Sequence, residues 1–148
     1  MGGAISRRSD CRYAELIRAY HVRWSEMIAG DIPGTVAILC ALHVVGTPLY
    51  ALTNWSHETF LIAEQRFDFL ALFRGIVVSG SERLVKPDLE IYRRLVERFG
   101  LDTARCVYID DNPTNAADVS GFGMHAIHIT SSDALAGELR ALGFAVGR

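Results

Sequence analysis

One stretch constrains this chain more than any other: Val107-Tyr108-Ile109-Asp110-Asp111-Asn112-Pro113-Thr114-Asn115. A short run of β-branched and aromatic residues reads as a buried strand, and it ends in two adjacent carboxylates followed by a Pro suited to the first turn of a helix. Carboxyl groups 4 Å apart repel by roughly 4 kcal/mol at an effective dielectric near 20, a cost that a hard divalent cation such as Mg2+ reverses. The C-terminal edge of a parallel sheet is also where α/β proteins bind ligands. The plainer reading of the same residues is a solvated Asp-Asp turn that caps the next helix.

The rest of the chain supplies the sheet. After Gly34, strand and helix patterns alternate: strands at 48–53, 76–79, 106–110 and 125–129, with helices from about Glu58 to Arg66, Asp88 to Phe99, from Pro113, and Asp133 to Leu142. Alternation of this kind predicts an α/β fold, a Rossmann-like three-layer parallel sheet flanked by helices. Ahead of it, Asp31-Ile32-Pro33-Gly34 reads as a turn, followed by a helix over Val36 to Val45 that stops at Gly46. Tyr13, Leu16, Ile17, Tyr20, Trp24, Met27 and Ile28 form one helical stripe between Asp10 and Ala29, and residues 1–9 carry no pattern.

Composition narrows the function. Among 148 residues, 15 basic and 17 acidic side chains leave a net charge of -2 with no basic run, which argues against nucleic acid. Cys11, Cys40 and Cys106 are too scattered for a disulfide framework or zinc site. No apolar run spans a membrane, and the first residues lack a secretion signal. The expected location is the cytoplasm.

In a parallel sheet, Thr53-Asn54, the Ser79-Gly80 loop and Asp110-Asp111 share one edge. Taken singly, Thr53-Asn54 also reads as a helix cap and Lys86 as a surface cation. As an ordered set, Ala51-Leu52-Thr53-Asn54-Trp55-Ser56, Lys86-Pro87-Asp88 and Tyr108-Ile109-Asp110-Asp111-Asn112 through Asn115 resemble the second, third and fourth motifs of the haloacid dehalogenase-like hydrolase superfamily. The resemblance runs from about residue 34 to the end and implies a division into a helical-cap remnant, 1–33, and a core, 34–148. It implies that Thr53 and Lys86 act in catalysis, and that Thr53, Asn54 and Lys86 bind the phosphate of a small-molecule substrate. Asp111 would ligate Mg2+ directly with Asp110 in support, and Asn115 would orient the loop. Dehalogenases of the family carry Ser and Asn where this chain has two Asp, so the pair favours a Mg2+-dependent phosphatase. A receiver domain uses similar residues in the reverse order along the chain.

The family's first motif, an apolar strand ending Asp-x-Asp whose first Asp is the nucleophile, has no counterpart here. In family members that strand lies mid-sheet, between those that correspond to 48–53 and 106–110. Its absence implies an incomplete site and two unpaired inner edges, in a truncated product, a chain with a misplaced start, or half of a split protein. Direct pairing of those two strands is the second possibility, and a non-catalytic remnant or interaction module is the alternative function. The sequence leaves the oligomeric state open. His125 and His128 are three apart in a strand and so face opposite sides. His21 and His43 read as structural, whereas His57 and Trp55 sit where substrate can touch them.

Overall fold

The computed structural model describes residues 30–147. The helical stripe expected between Asp10 and Ala29 lies outside them. Four strands form in the expected order: β1 (Tyr50–Thr53), β2 (Gly75–Val78), β3 (Val107–Asp110) and β4 (His125–His128). They pair in parallel as two separate two-stranded sheets, β1 with β2 and β3 with β4. Tyr50 lies opposite Gly75 in the first pair and Val107 opposite His125 in the second. β1 and β3 do not pair with each other, so the directly closed sheet does not form.

Helices cover the strands on both faces, as the alternating pattern predicts. The first is α1 (Pro33–Val44), which starts three residues earlier than the sequence suggests because Pro33 takes the first helical position, where its missing N–H costs nothing. α2 (His57–Arg66) follows β1 and is capped by the Ser56 hydroxyl, which accepts from Thr59 N–H. A short turn, α3 (Ser79–Glu82), follows β2, so Ser79 opens a helix instead of closing the strand. α4 (Leu89–Phe99) is capped by Asp88 and ends at Gly100, which adopts a left-handed conformation at φ 60°. α5 (Pro113–Ser120) follows β3 with Asn112 as its cap, and α6 (Ser132–Ala141) follows β4.

Strand alternation divides the core by face. On one face Val77 of β2 and Tyr108 of β3 pack with Ile91, Tyr92 and Leu95 of α4 and Val119 of α5, joined by the half-buried Tyr50 and Leu52 of β1. This cluster spans both pairs of strands. The opposite face holds two clusters: Leu42, Ile127, Leu135, Leu139 and Val146 over β3 and β4, and Phe60, Ala63 and Val78 over β2.

Glycines permit two close approaches. A Cβ on Gly75 would lie 2.1 Å from the Phe99 ring, and one on Gly80 would lie 2.6 Å from His57 N and 2.8 Å from Trp55 O. Gly80 N–H in turn donates to Trp55 O at 2.9 Å, which fixes the loop after β2 against the turn after β1. Gly80→Ala therefore lowers stability by about 1–3 kcal/mol, whereas Gly137→Ala, in α6 with open space around it, raises it by about 0.5–1 kcal/mol. Urea unfolding of the two variants reads the opposite signs.

Candidate active site

The C-terminal strand ends meet as the sequence predicts, and Lys86 is the residue through which they meet. Its Nζ lies 2.7 Å from Asp110 Oδ2 at the end of β3, with the two side chains only 11% and 5% exposed. Its main chain is gripped by the residue after β1: Lys86 N–H donates to Asn54 Oδ1 at 2.8 Å, and Asn54 Nδ2 donates to Lys86 O at 3.0 Å. Asn54, expected to contact phosphate, thus has both amide atoms engaged in placing Lys86.

Asp110 is saturated with donors. Oδ2 accepts from Lys86 and from the Tyr108 hydroxyl at 2.7 Å, and Oδ1 accepts from Asn112 N–H at 2.9 Å and from Asn115 Nδ2 at 3.2 Å. Burial alone would raise its pKa, but hydrogen bonds from Lys86, Tyr108, Asn112 and Asn115 outweigh it and hold the carboxyl at about 2. The Tyr108 hydroxyl moves the other way: burial, then its bond to Asp110, pushes its pKa far above the ordinary phenol value. Asp110 is therefore a fixed anion and Tyr108 a fixed donor near neutral pH. Asn115, buried in α5, sits against Asp110.

Asp111 differs from its neighbour. It is exposed, and its carboxylate makes no hydrogen bond or ion pair among the described residues. Its carbonyl lies 3.0 Å from His128 Nε2 at the end of β4; a carbonyl only accepts, so Nε2 carries the proton. The hydroxyl of Thr53 is likewise without a partner among the described residues. Mg2+ is held by one or two carboxylates, with water and phosphate oxygens completing the octahedron. The chemistry of Asp111 fits an open site of that kind. The described residues hold no group of three or more His, Cys, Asp and Glu that would make a closed one.

Several further side chains complete the edge. Ser79 Oγ accepts from Trp55 N–H at 2.9 Å and donates to Trp55 O at 3.2 Å, which locks the loops after β1 and β2 together. Tyr108 was legible in principle, because residues two apart in a strand share a face. His128, which faces away from His125 and cannot chelate with it, bonds a carbonyl instead. His57 bonds Ser81 Oγ through Nδ1 at 2.9 Å. Cys106 Sγ lies 3.1 Å from Asp102 O, at the end of β3 away from the carboxylates, and burial raises its pKa.

The ends of β1 and β3 and the loop after β2 thus place Thr53, Lys86 and the paired Asp110 and Asp111 along one edge of an α/β fold. The chain belongs to the haloacid dehalogenase-like hydrolases, whose family pattern matches residues 8–117. It is 32% identical over 107 residues to the sesquiterpene phosphatase astK of Aspergillus oryzae, covering 72% of this chain and 54% of that protein. It is 38% identical over 115 residues to flavin mononucleotide hydrolase 1 of Arabidopsis thaliana, covering 78% and 46%. The chain thus spans about half the length of these relatives. Among solved structures, a protein from Corynebacterium glutamicum matches with a TM-score of 0.67 at 17% identity, covering 82% of this chain and 90% of that one. A HAD family enzyme of Bacteroides thetaiotaomicron, in complex with magnesium and inorganic phosphate, matches at 0.64 and 18% identity, covering 72% and 57%. These two likenesses concern the fold. No described helix is long and apolar enough to cross a membrane.

The low pKa of Asp110 has a consequence for acid stability. Its folded value, about 2, lies below the unfolded value near 3.9, so its contribution is complete above about pH 4 and lost as pH falls toward 2. Between pH 5 and pH 2 the parent chain should lose about 2 kcal/mol more unfolding free energy than Asp110→Asn. Urea titrations across that range measure the difference.

Proposed function

We propose that these residues form the phosphate-binding and charge-neutralising part of a Mg2+-dependent phosphatase for a small cytosolic phosphomonoester. Thr53 and the N–H groups at the start of α2 take a phosphoryl oxygen. Lys86 neutralises phosphoryl charge, Asp111 and Asp110 serve the Mg2+ site as direct and supporting carboxylates, and Asn54 and Asn115 position Lys86 and Asp110. The observation that carries the reading is the 2.7 Å contact of Lys86 with Asp110, made where Asn54 also reaches Lys86. Phosphoryl transfer depends mostly on positioning and charge neutralisation, which this arrangement is suited to supply. Its two named relatives, a sesquiterpene phosphatase and a flavin mononucleotide hydrolase, support the phosphatase class over the dehalogenase class.

The 148 residues contain no Asp-x-Asp, and loss of a catalytic nucleophile costs on the order of 10⁶ in turnover. That absence favours a second reading, a module that binds without turnover. Hydrolysis of p-nitrophenyl phosphate with and without Mg2+ separates them, assayed on this chain and on the same chain carrying any coding sequence upstream of Met1. The phosphatase reading expects turnover from the extended chain alone, abolished by Asp111→Ala. Silence of both forms favours the binding module, and Mg2+-dependent turnover by the short chain would show that the nucleophile lies within these residues.

A further inference from the structure

Of the 15 Lys and Arg residues in the chain, Lys86 alone is Lys. A guanidinium presents a rigid fork of donors, whereas an ammonium on a flexible four-carbon stem takes its position from what it bonds. Lys86 Nζ bonds one atom, Asp110 Oδ2 at 2.7 Å, and has no other partner among the described residues. The loop that carries Lys86 does not fix the ammonium by itself. Val85 and Leu89 on either side are exposed, and Asn54 holds only the main chain. The location of Nζ therefore follows the location of Oδ2.

Oδ2 has one partner besides Lys86, the Tyr108 hydroxyl, which donates to it at 2.7 Å. The two residues stand two apart in β3, so both side chains leave the strand on one face. The Tyr108 ring is buried in the cluster shared by both strand pairs, edge-on to Tyr92 with centroids 5.6 Å apart and planes at 85°. Phe at this position would fill the same space, so packing alone does not require the hydroxyl. Nor does burial in this cluster by itself bring a hydroxyl a bond: that of Tyr92, fully enclosed, has no hydrogen-bond partner among the described residues. Oδ1 is held separately, by Asn112 N–H and Asn115, and a carboxylate fixed at one oxygen can still swing the other.

We propose that Tyr108 is a positioning residue of the candidate site: its hydroxyl, anchored in the core, fixes Asp110 Oδ2 and through it places the Lys86 ammonium. The hydrophobic core thereby sets the position of a charge that an exposed loop carries. The use of that charge on phosphate rests on the phosphatase reading. Its position is read without substrate, Mg2+ or turnover, so the two can fail separately.

With one lysine in the 148 residues, 15N-lysine labelling of the intact chain gives a single ε-ammonium signal. Its hydrogen exchange with water at fixed pH reports how firmly Nζ is held. The parent chain should show that signal together with a slowly exchanging hydroxyl proton from Tyr108. In Tyr108→Phe the exchange should quicken at least about tenfold, the factor lost with one hydrogen bond to a charged group. Tyr92→Phe removes a neighbouring buried hydroxyl without a partner and should leave the rate unchanged. So should Ile91→Val, which loosens the same cluster without touching the carboxylate. Equal quickening in all three variants would make Tyr108 an ordinary core residue and overturn the proposal. An unchanged or slower rate in Tyr108→Phe overturns it too, as does the absence of the ammonium signal from the parent. Should the Phe variant fail to fold, a parent spectrum without the Tyr108 hydroxyl proton overturns it on its own.

Discussion

The contact between Lys86 and Asp110 is the interaction on which the rest depends. Removing two charges from water costs several kcal/mol each, and attraction offsets this only when the remaining lone pairs and protons are also satisfied. Here they are. Tyr108, Asn112 and Asn115 complete the shell of the carboxylate, and Asn54 anchors the main chain that carries the ammonium. The pair consequently does more than neutralise: it fastens the loop after β2 to the end of β3, and through Asn54 it draws in the turn after β1.

That clasp explains how two short, separate parallel pairs keep a common edge without a continuous ladder. Above the strands, polar contacts through Lys86 join them. Below, Ile91, Tyr92 and Leu95 of α4 pack against both pairs. β1 and β3, which do not pair with each other, lie between these two ties. An arrangement held in this way keeps Thr53, Lys86 and the two Asp residues in register although β1 and β3 do not pair, which is the relation between the site and the fold.

Much of this was legible in the sequence because it is written locally. Apolar runs ending in polar residues located all four strands to within about two residues, and the chemistry of Asp110-Asp111-Asn112-Pro113 announced both the strand end and the helix start. The division into two strand pairs was also legible, since the run that would sit between 48–53 and 106–110 is missing. What was not legible depends on partners distant along the chain. Nothing within Thr53-Asn54 reveals that the Asn amide serves a main chain 32 residues away, or that Ser79 locks the backbone of Trp55. The start of α1 is not legible either, because Pro33-Gly34 is a turn signal in isolation, whereas Pro at the first helical position and Gly beneath Ser132 make it a helix entry.

The most direct measurement of the clasp is a double-mutant cycle between Lys86→Met and Asp110→Asn, read as unfolding free energy at pH 7. A buried pair whose carboxylate is fully bonded predicts strong coupling, with the single variants together costing at least about 2 kcal/mol more than the double variant. Additivity within about 0.5 kcal/mol would mean that Lys86 and Asp110 act independently, and that something other than this pair holds the strand ends together.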